Sequence, residues 1–143
     1  MTMNETEGRA ALVAEAGSWM GTPYHNCARI KGIGVDCLQI LAGVYANVGL
    51  IEPPPLEHYA PDWHMHRSEE RYLLGIAGYL TRTETPKPGD VALFKFGRCV
   101  SHAAIVIEWP RVIHSFYGLG VVEADANDAE LAGRLHSCWT MWP

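Results

Sequence analysis

The apolar pattern of this chain changes period past its middle, and that change restricts the fold more than any other feature. Over residues 5–20, Leu12, Val13, Ala16, Trp19 and Met20 follow the i, i+1, i+4, i+7, i+8 spacing that lines one face of a helix. Gly21-Thr22-Pro23 stops it. Cys37, Leu41, Val44, Tyr45 and Val48 trace a second helical stripe, ended near Gly49 and the Pro53-Pro54-Pro55 run. Residues 51–67 are rich in Pro, His and Trp without a period and read as an ordered surface loop, with a further helix over about 68–80. After the turn signal Pro86 to Asp90, short runs of β-branched and aromatic residues take over: Val91 to Phe96, His102 to Ile107, Val112 to Tyr117 and Gly120 to Glu123. Helices first and a strand meander second predict an α+β fold with an antiparallel sheet, not alternating βαβ units.

With 143 residues, 48% of them apolar and 19% charged, the chain can bury a single core, and one domain over residues 1–143 is expected. The formal charge of -5 and scattered Lys and Arg leave no basic footprint for a nucleic acid backbone. No uninterrupted apolar run is long enough to span a bilayer, and the first ten residues, MTMNETEGRA, lack the basic start and apolar stretch of a secretory signal. The expectation is a protein made in the cytoplasm and not exported by a signal of its own. Four cysteines, at 27, 37, 99 and 138, stand singly, which suits neither a zinc site nor a disulfide scaffold. Cys27, Cys99 and Cys138 read as reduced, partly buried thiols, and no metal or other cofactor is expected.

Cys37 is different because of where it falls. Asp36 precedes the second stripe and Gln39 follows three residues on, the Asp-x-x-Gln form of a capping box, so Asp36 is the expected N-cap and Cys37 the first helical residue. Unpaired N–H groups and the helix macrodipole favour a thiolate there, above all beside a histidine. That segment admits two readings, a nucleophile or a small residue packing a helix start.

A thiolate nucleophile needs a base within hydrogen-bond reach, and the base needs a third group to fix its tautomer. Of seven histidines, His25 and His58 fall in loops, His64 and His66 form a lone His-x-His, and His136 lies near the C-terminus; solvated or half-buried side chains account for these. His102 and His114 fall on one predicted hairpin, twelve residues apart. A three-residue loop Glu108-Trp109-Pro110 would set Ile107 opposite Arg111 and Ala104 opposite His114, placing both imidazoles on one sheet face as diagonal neighbours. A two-residue turn would pair His114 with residue 105 and send them to opposite faces.

In this order and spacing, the sequence resembles the NlpC family of cell-wall cysteine peptidases, particularly its phage-tail and gene-transfer-agent branch. The likeness covers most of the chain. It rests on Gly21-Thr22-Pro23-Tyr24, Lys31-Gly32-Ile33-Gly34-Val35-Asp36-Cys37, Pro88-Gly89-Asp90-Val91, and Ser101-His102-Ala103-Ala104-Ile105 with Ile113-His114. The resemblance implies a papain-like fold with the cysteine helix packed on a mostly antiparallel sheet. It implies hydrolysis of peptidoglycan stem peptides, typically at the γ-D-glutamyl to diamino-acid bond. Carried over by motif, Cys37 is the nucleophile, His102 the base and His114 the third residue. Tyr24 corresponds to a tyrosine that binds substrate or steadies the oxyanion, and Asp36 to the aspartate of the family's Asp-Cys pair. Where most relatives have a small residue and then glycine after Asp-Cys, this chain has Leu38-Gln39, which leaves two readings: Leu38 walls the substrate site, or it turns into the core while Gln39 completes the capping box. No wall-binding repeat is recognisable, so targeting would come from other proteins of a phage tail tip.

The same Cys and His pair would also serve an amidase, thioesterase or acyltransferase acting on another acyl group. A non-catalytic tail-assembly module that keeps the fold is a reading of a different class.

Overall fold

The computed structural model describes residues 3–54, 75 and 78–143. Most of the expected helix over 68–80 and most of the 51–67 segment, with His58, His64 and His66, lie outside the described residues; residue 75 is helical and residues 78–80 are not. Helix α1 (Glu5–Ser18) is started by a reciprocal cap in which Asn4 accepts from the Glu7 N–H and the Glu7 side chain accepts from the Asn4 N–H. Leu12, Ala16 and Trp19 of its predicted stripe are buried, whereas Met20 lies past its end and is exposed. Helix α2 (Gln39–Val48) buries Leu41, Val44 and Tyr45 and stops at Gly49, whose φ of 90° is the left-handed conformation that closes a helix without a Cβ penalty.

Two short strands, β1 (Arg29–Ile30) and β2 (Gly34–Val35), form a small hairpin ahead of α2. Six strands make the main antiparallel sheet: β3 (Thr81–Thr83), β4 (Val91–Phe96), β5 (Cys99–Glu108), β6 (Arg111–Phe116), β7 (Gly120–Asp125) and β8 (Leu135–Thr140), in the order β3-β8-β4-β5-β6-β7. The meander holds from β4 to β7, and β8 returns to pair with both β3 and β4. The α+β expectation is met, with the helices packed on a sheet whose pairings are all antiparallel.

Side chains alternate across this sheet as the period of two requires. Val91, Leu93, Ala103, Ile105, Ile113 and Val121 join the helices in the larger core, while Ala92, Phe94, Ala104, Val106 and Val112 form a second cluster with Leu131 of the 3-10 turn Ala129–Leu131. Arg9 binds α1 to the sheet: its guanidinium donates to Asp90 Oδ1 at 2.7 Å, to the Pro88 carbonyl at 2.9 Å and to Thr140 Oγ1 at 3.1 Å. The Pro-Gly-Asp-Val motif is thus a structural junction. Tyr45 adds to it by donating its hydroxyl to the Gly89 carbonyl.

The β5–β6 connection differs from both alternatives that the sequence offered. Glu108 pairs with Arg111 across a two-residue turn, yet Val106 pairs with Val112 and Ile105 with Ile113. Ile107 is a bulge between them, and the extra residue restores the register that the expected three-residue loop would have set. His102 and His114 therefore keep one face.

Candidate active site

Helix α2 starts two residues later than expected, with Leu38 at its N-cap and Cys37 in the turn before it, but the Asp36 side chain still bonds that turn. Its Oδ1 accepts from the N–H groups of Leu38 (3.1 Å) and Gln39 (2.8 Å), and its carbonyl accepts from Ile40 N at 3.0 Å, so hydrogen bonding of the helix begins at Asp36. The reciprocal half of the expected capping box is absent, because the Gln39 side chain turns to Arg29 and accepts from Nη1 at 3.0 Å. Asp36 Oδ2 accepts from the Cys27 N–H at 2.8 Å. Cys27 has a φ of 63°, a left-handed conformation unusual for a residue with a side chain, and the Asp36 carboxylate holds it there. At 1% exposure, with bonds to three backbone N–H groups, Asp36 fixes the shape of the cysteine turn and is not open to substrate.

Cys37 sits at the start of that turn, and its sulfur lies 3.5 Å from the Ser101 carbonyl oxygen. Ser101 is placed for this by a second bulge. Phe94 pairs with His102 and Lys95 with Val100, so Ser101 faces no residue of β4. The next residue is His102, whose Nε2 is 2.7 Å from Nδ1 of His114. Phe94, Phe96 and Phe116 surround the His102 ring at centroid distances of 6.0, 5.4 and 5.4 Å. Burial, and then the neighbouring His114, push the His102 pKa well below the usual histidine range. Burial likewise brings His114 down to about 4, opposed by the negative charge of Glu130 on the 3-10 turn. Nε2 of His114 is buried without a hydrogen-bond partner among the described residues.

Tyr24 joins the same locality. Its backbone bridges to Val35, and its hydroxyl pKa is raised by burial first and then by the nearby Cys37 and Asp36. The phenol thus keeps its proton at neutral pH and can donate it. Leu38 is half-buried and packs against the larger core. His25 lies in its loop with Nδ1 3.1 Å from the Asn26 carbonyl oxygen, and His136 lines a separate cleft with Arg82, Glu84 and Trp109.

The structure is similar to the NlpC/p60 domain of the peptidoglycan hydrolase SagA, with a TM-score of 0.62, 20% identity, and coverage of 93% of this chain and 98% of that one. The chain folds as an NlpC/p60 domain. An NLP/P60 family protein of Staphylococcus aureus, described as similar to a lipoprotein, matches with a TM-score of 0.67 and 20% identity over 98% of this chain and 43% of its own. RipB, a peptidoglycan hydrolase of Mycobacterium tuberculosis, matches with a TM-score of 0.61 and 17% identity over 97% of this chain and 68% of its own. This chain thus spans less than half of the staphylococcal protein. No protein-family model and no curated protein sequence matches it.

Within this NlpC/p60 fold, two contributors escaped the sequence reading. The Ser101 bulge has no local signal, since nothing in Val100-Ser101-His102 announces an extra residue. Phe116, 5.3 Å from His114 as well as packed on His102, carries a usable one: it lies two residues beyond His114 and so shares its sheet face.

Proposed function

We propose that this protein is a peptidoglycan hydrolase of the NlpC/p60 kind, a cysteine peptidase that cuts stem peptides at the γ-D-glutamyl to diamino-acid bond. The observation that carries this reading is the 2.7 Å contact between His102 Nε2 and His114 Nδ1, made inside a buried aromatic cage one residue from the carbonyl that meets the Cys37 sulfur. If His114 Nδ1 accepts, the proton of neutral His102 is on Nε2 and its Nδ1 has a free lone pair. That is the tautomer a general base needs.

In this reading the two partners enter the reaction as thiol and neutral imidazole, because burial holds His102 unprotonated. The Cys37 proton passes to His102 Nδ1 as sulfur attacks the peptide carbonyl carbon. The imidazolium then gives that proton to the departing amine, the C–N bond breaks and a thioester remains. Water, deprotonated by His102, hydrolyses the thioester and returns Cys37 as thiol. His114 holds the imidazole plane throughout, and Tyr24 can donate its phenolic proton to the developing oxyanion. The motif resemblance to the phage-tail branch supports a tail-tip setting for this activity, where other proteins would bring it to the wall.

Mass spectrometry of purified muropeptides incubated with wild type and Cys37→Ala tests the proposal. The expected products carry a new γ-D-glutamyl carboxyl and a free diamino-acid amine, and appear with wild type alone. Absence of cleavage, or equal cleavage by both, overturns it; a different scissile bond overturns the bond assignment.

A further inference from the structure

The turn joining β6 to β7 carries Tyr117 and Leu119, which are 76% and 57% exposed. Large apolar side chains at that exposure call for an account when they stand together beside a reactive group. Tyr117 meets Tyr24 edge-on, with ring centroids 5.5 Å apart and planes at 74°. Tyr24 in turn is the phenol whose charge neighbours include Cys37 and Asp36. The residue just before, Phe116, packs on both imidazoles at 5.4 and 5.3 Å. This one turn therefore touches the base, its partner and the tyrosine beside the nucleophile.

The turn is also firmly held. Gly21 N donates to the Val121 carbonyl at 3.0 Å and Val121 N to the Thr22 carbonyl at 2.9 Å, sewing β7 to the segment that carries Tyr24. Gly120, at a φ of 78°, comes so close to that segment that a Cβ would stand 2.6 Å from the Thr22 oxygen. Across the turn itself, Leu119 N donates to the Phe116 carbonyl at 2.9 Å. A preformed aromatic surface costs little to order when a ligand arrives.

We propose that Tyr117, with Leu119, is the substrate-facing wall of the site and selects the aliphatic side-chain stem of the amino acid next to the scissile bond. This wall stands on a different element from Leu38, which is half-buried against the core. An aromatic face and a leucine offer apolar surface without charge, which fits the methylene chain of a diamino acid better than a methyl group. Burying two or three methylenes there corresponds to a selectivity of roughly tenfold to a few hundredfold.

The inference rests on the peptidase reading, and the experiment separates the two. Cleavage of stem peptides that differ only in carrying a diamino acid or alanine beside the cut is followed for wild type, Tyr117→Ala and Tyr117→Phe, with the alkylation rate of Cys37 measured in parallel. Tyr117→Ala should reduce the ratio of kcat/KM for the two peptides by at least tenfold, Tyr117→Phe should restore it, and the alkylation rate should stay within twofold. An unchanged ratio in Tyr117→Ala, or an equal loss on both peptides with slowed alkylation, overturns the wall and leaves the peptidase intact. If wild type cuts neither peptide while Cys37→Ala also cuts neither, the peptidase reading falls and the wall with it.

Discussion

His114 is fully buried and 2.7 Å from His102, so this site carries two neutral imidazoles where solvent-exposed histidines would titrate near pH 6.5. Lowered folded-state values make the unfolded chain bind more protons than the native one below pH 6.5, so stability falls as pH drops through that window. For His114, with a folded value of about 4, the loss between pH 7 and pH 5 is roughly 2 kcal/mol. Urea unfolding across that range should show the slope, and His114→Gln should flatten it. A stability independent of pH between 5 and 7 would contradict the buried neutral pair.

Thiol reactivity tests Cys37 as the proposed nucleophile against its three companions. Cys37, Cys99 and Cys138 are all buried, so access does not separate them; Cys99 and Cys138 lie on strands β5 and β8 rather than at a helix start, and burial brings the Cys138 thiol up to about 11. Cys27 is the more exposed thiol and so the demanding comparison. Peptide mapping after limited iodoacetamide treatment at neutral pH should find Cys37 labelled first. If His102 accepts the thiol proton, as proposed, His102→Ala should slow that labelling. Faster labelling of Cys27 would remove the nucleophile assignment.

The two histidines should also separate by magnitude. His102→Ala would remove the proposed base and should cost about 10²–10⁴ in kcat, whereas His114→Gln keeps an amide oxygen able to accept from Nε2 and should retain measurable turnover. Equal losses in both variants would argue that His114 does more than hold its neighbour.

Much of this site was legible because its signals are local. The Asp36 carboxylate bonding the turn that leads into α2 and Gly49 as its stop follow from backbone chemistry at single positions, and the shared face of His102 and His114 follows from an even separation on a hairpin. The turn was not legible: the sequence offered three residues or two, and the protein uses two plus a bulge at Ile107, a choice made by packing. Strand β8 was missed because Ser137 and Thr140 are polar yet buried, breaking the alternation that marks a strand. Ser137 Oγ is satisfied inside the fold by the Trp139 indole N–H, a contact with no trace in a hydropathy pattern. Leu38 beside Cys37 invited a functional reading, yet the side chain at that helix start is half-buried against the core.

The Pro-Gly-Asp-Val motif supplies the last prediction, because its aspartate works far from any chemistry. Asp90 is 1% exposed; one oxygen takes the Arg9 guanidinium at 2.7 Å and the other the Lys87 N–H at 2.8 Å. Arg9 spends its remaining donors on Pro88, Thr140 and Glu5, so this single ion pair ties α1 to β4 and β8. Asp90→Ala leaves Arg9 with only the half-exposed Glu5 as a charge partner, so it should destabilise the fold by up to about 3–5 kcal/mol. Asp90→Asn keeps an acceptor for Lys87 N–H and should cost less. Arg9→Met combined with Asp90→Ala should cost less than the sum of the single changes, since the double variant leaves no uncompensated charge. Urea midpoints for the four proteins measure this coupling, and Cys37 alkylation rates well below the unfolding transition should be the same in all of them. Strictly additive losses would mean that Arg9 and Asp90 act separately, Arg9 through its packing beneath Trp142 at 4.8 Å and Asp90 through the turn before β4.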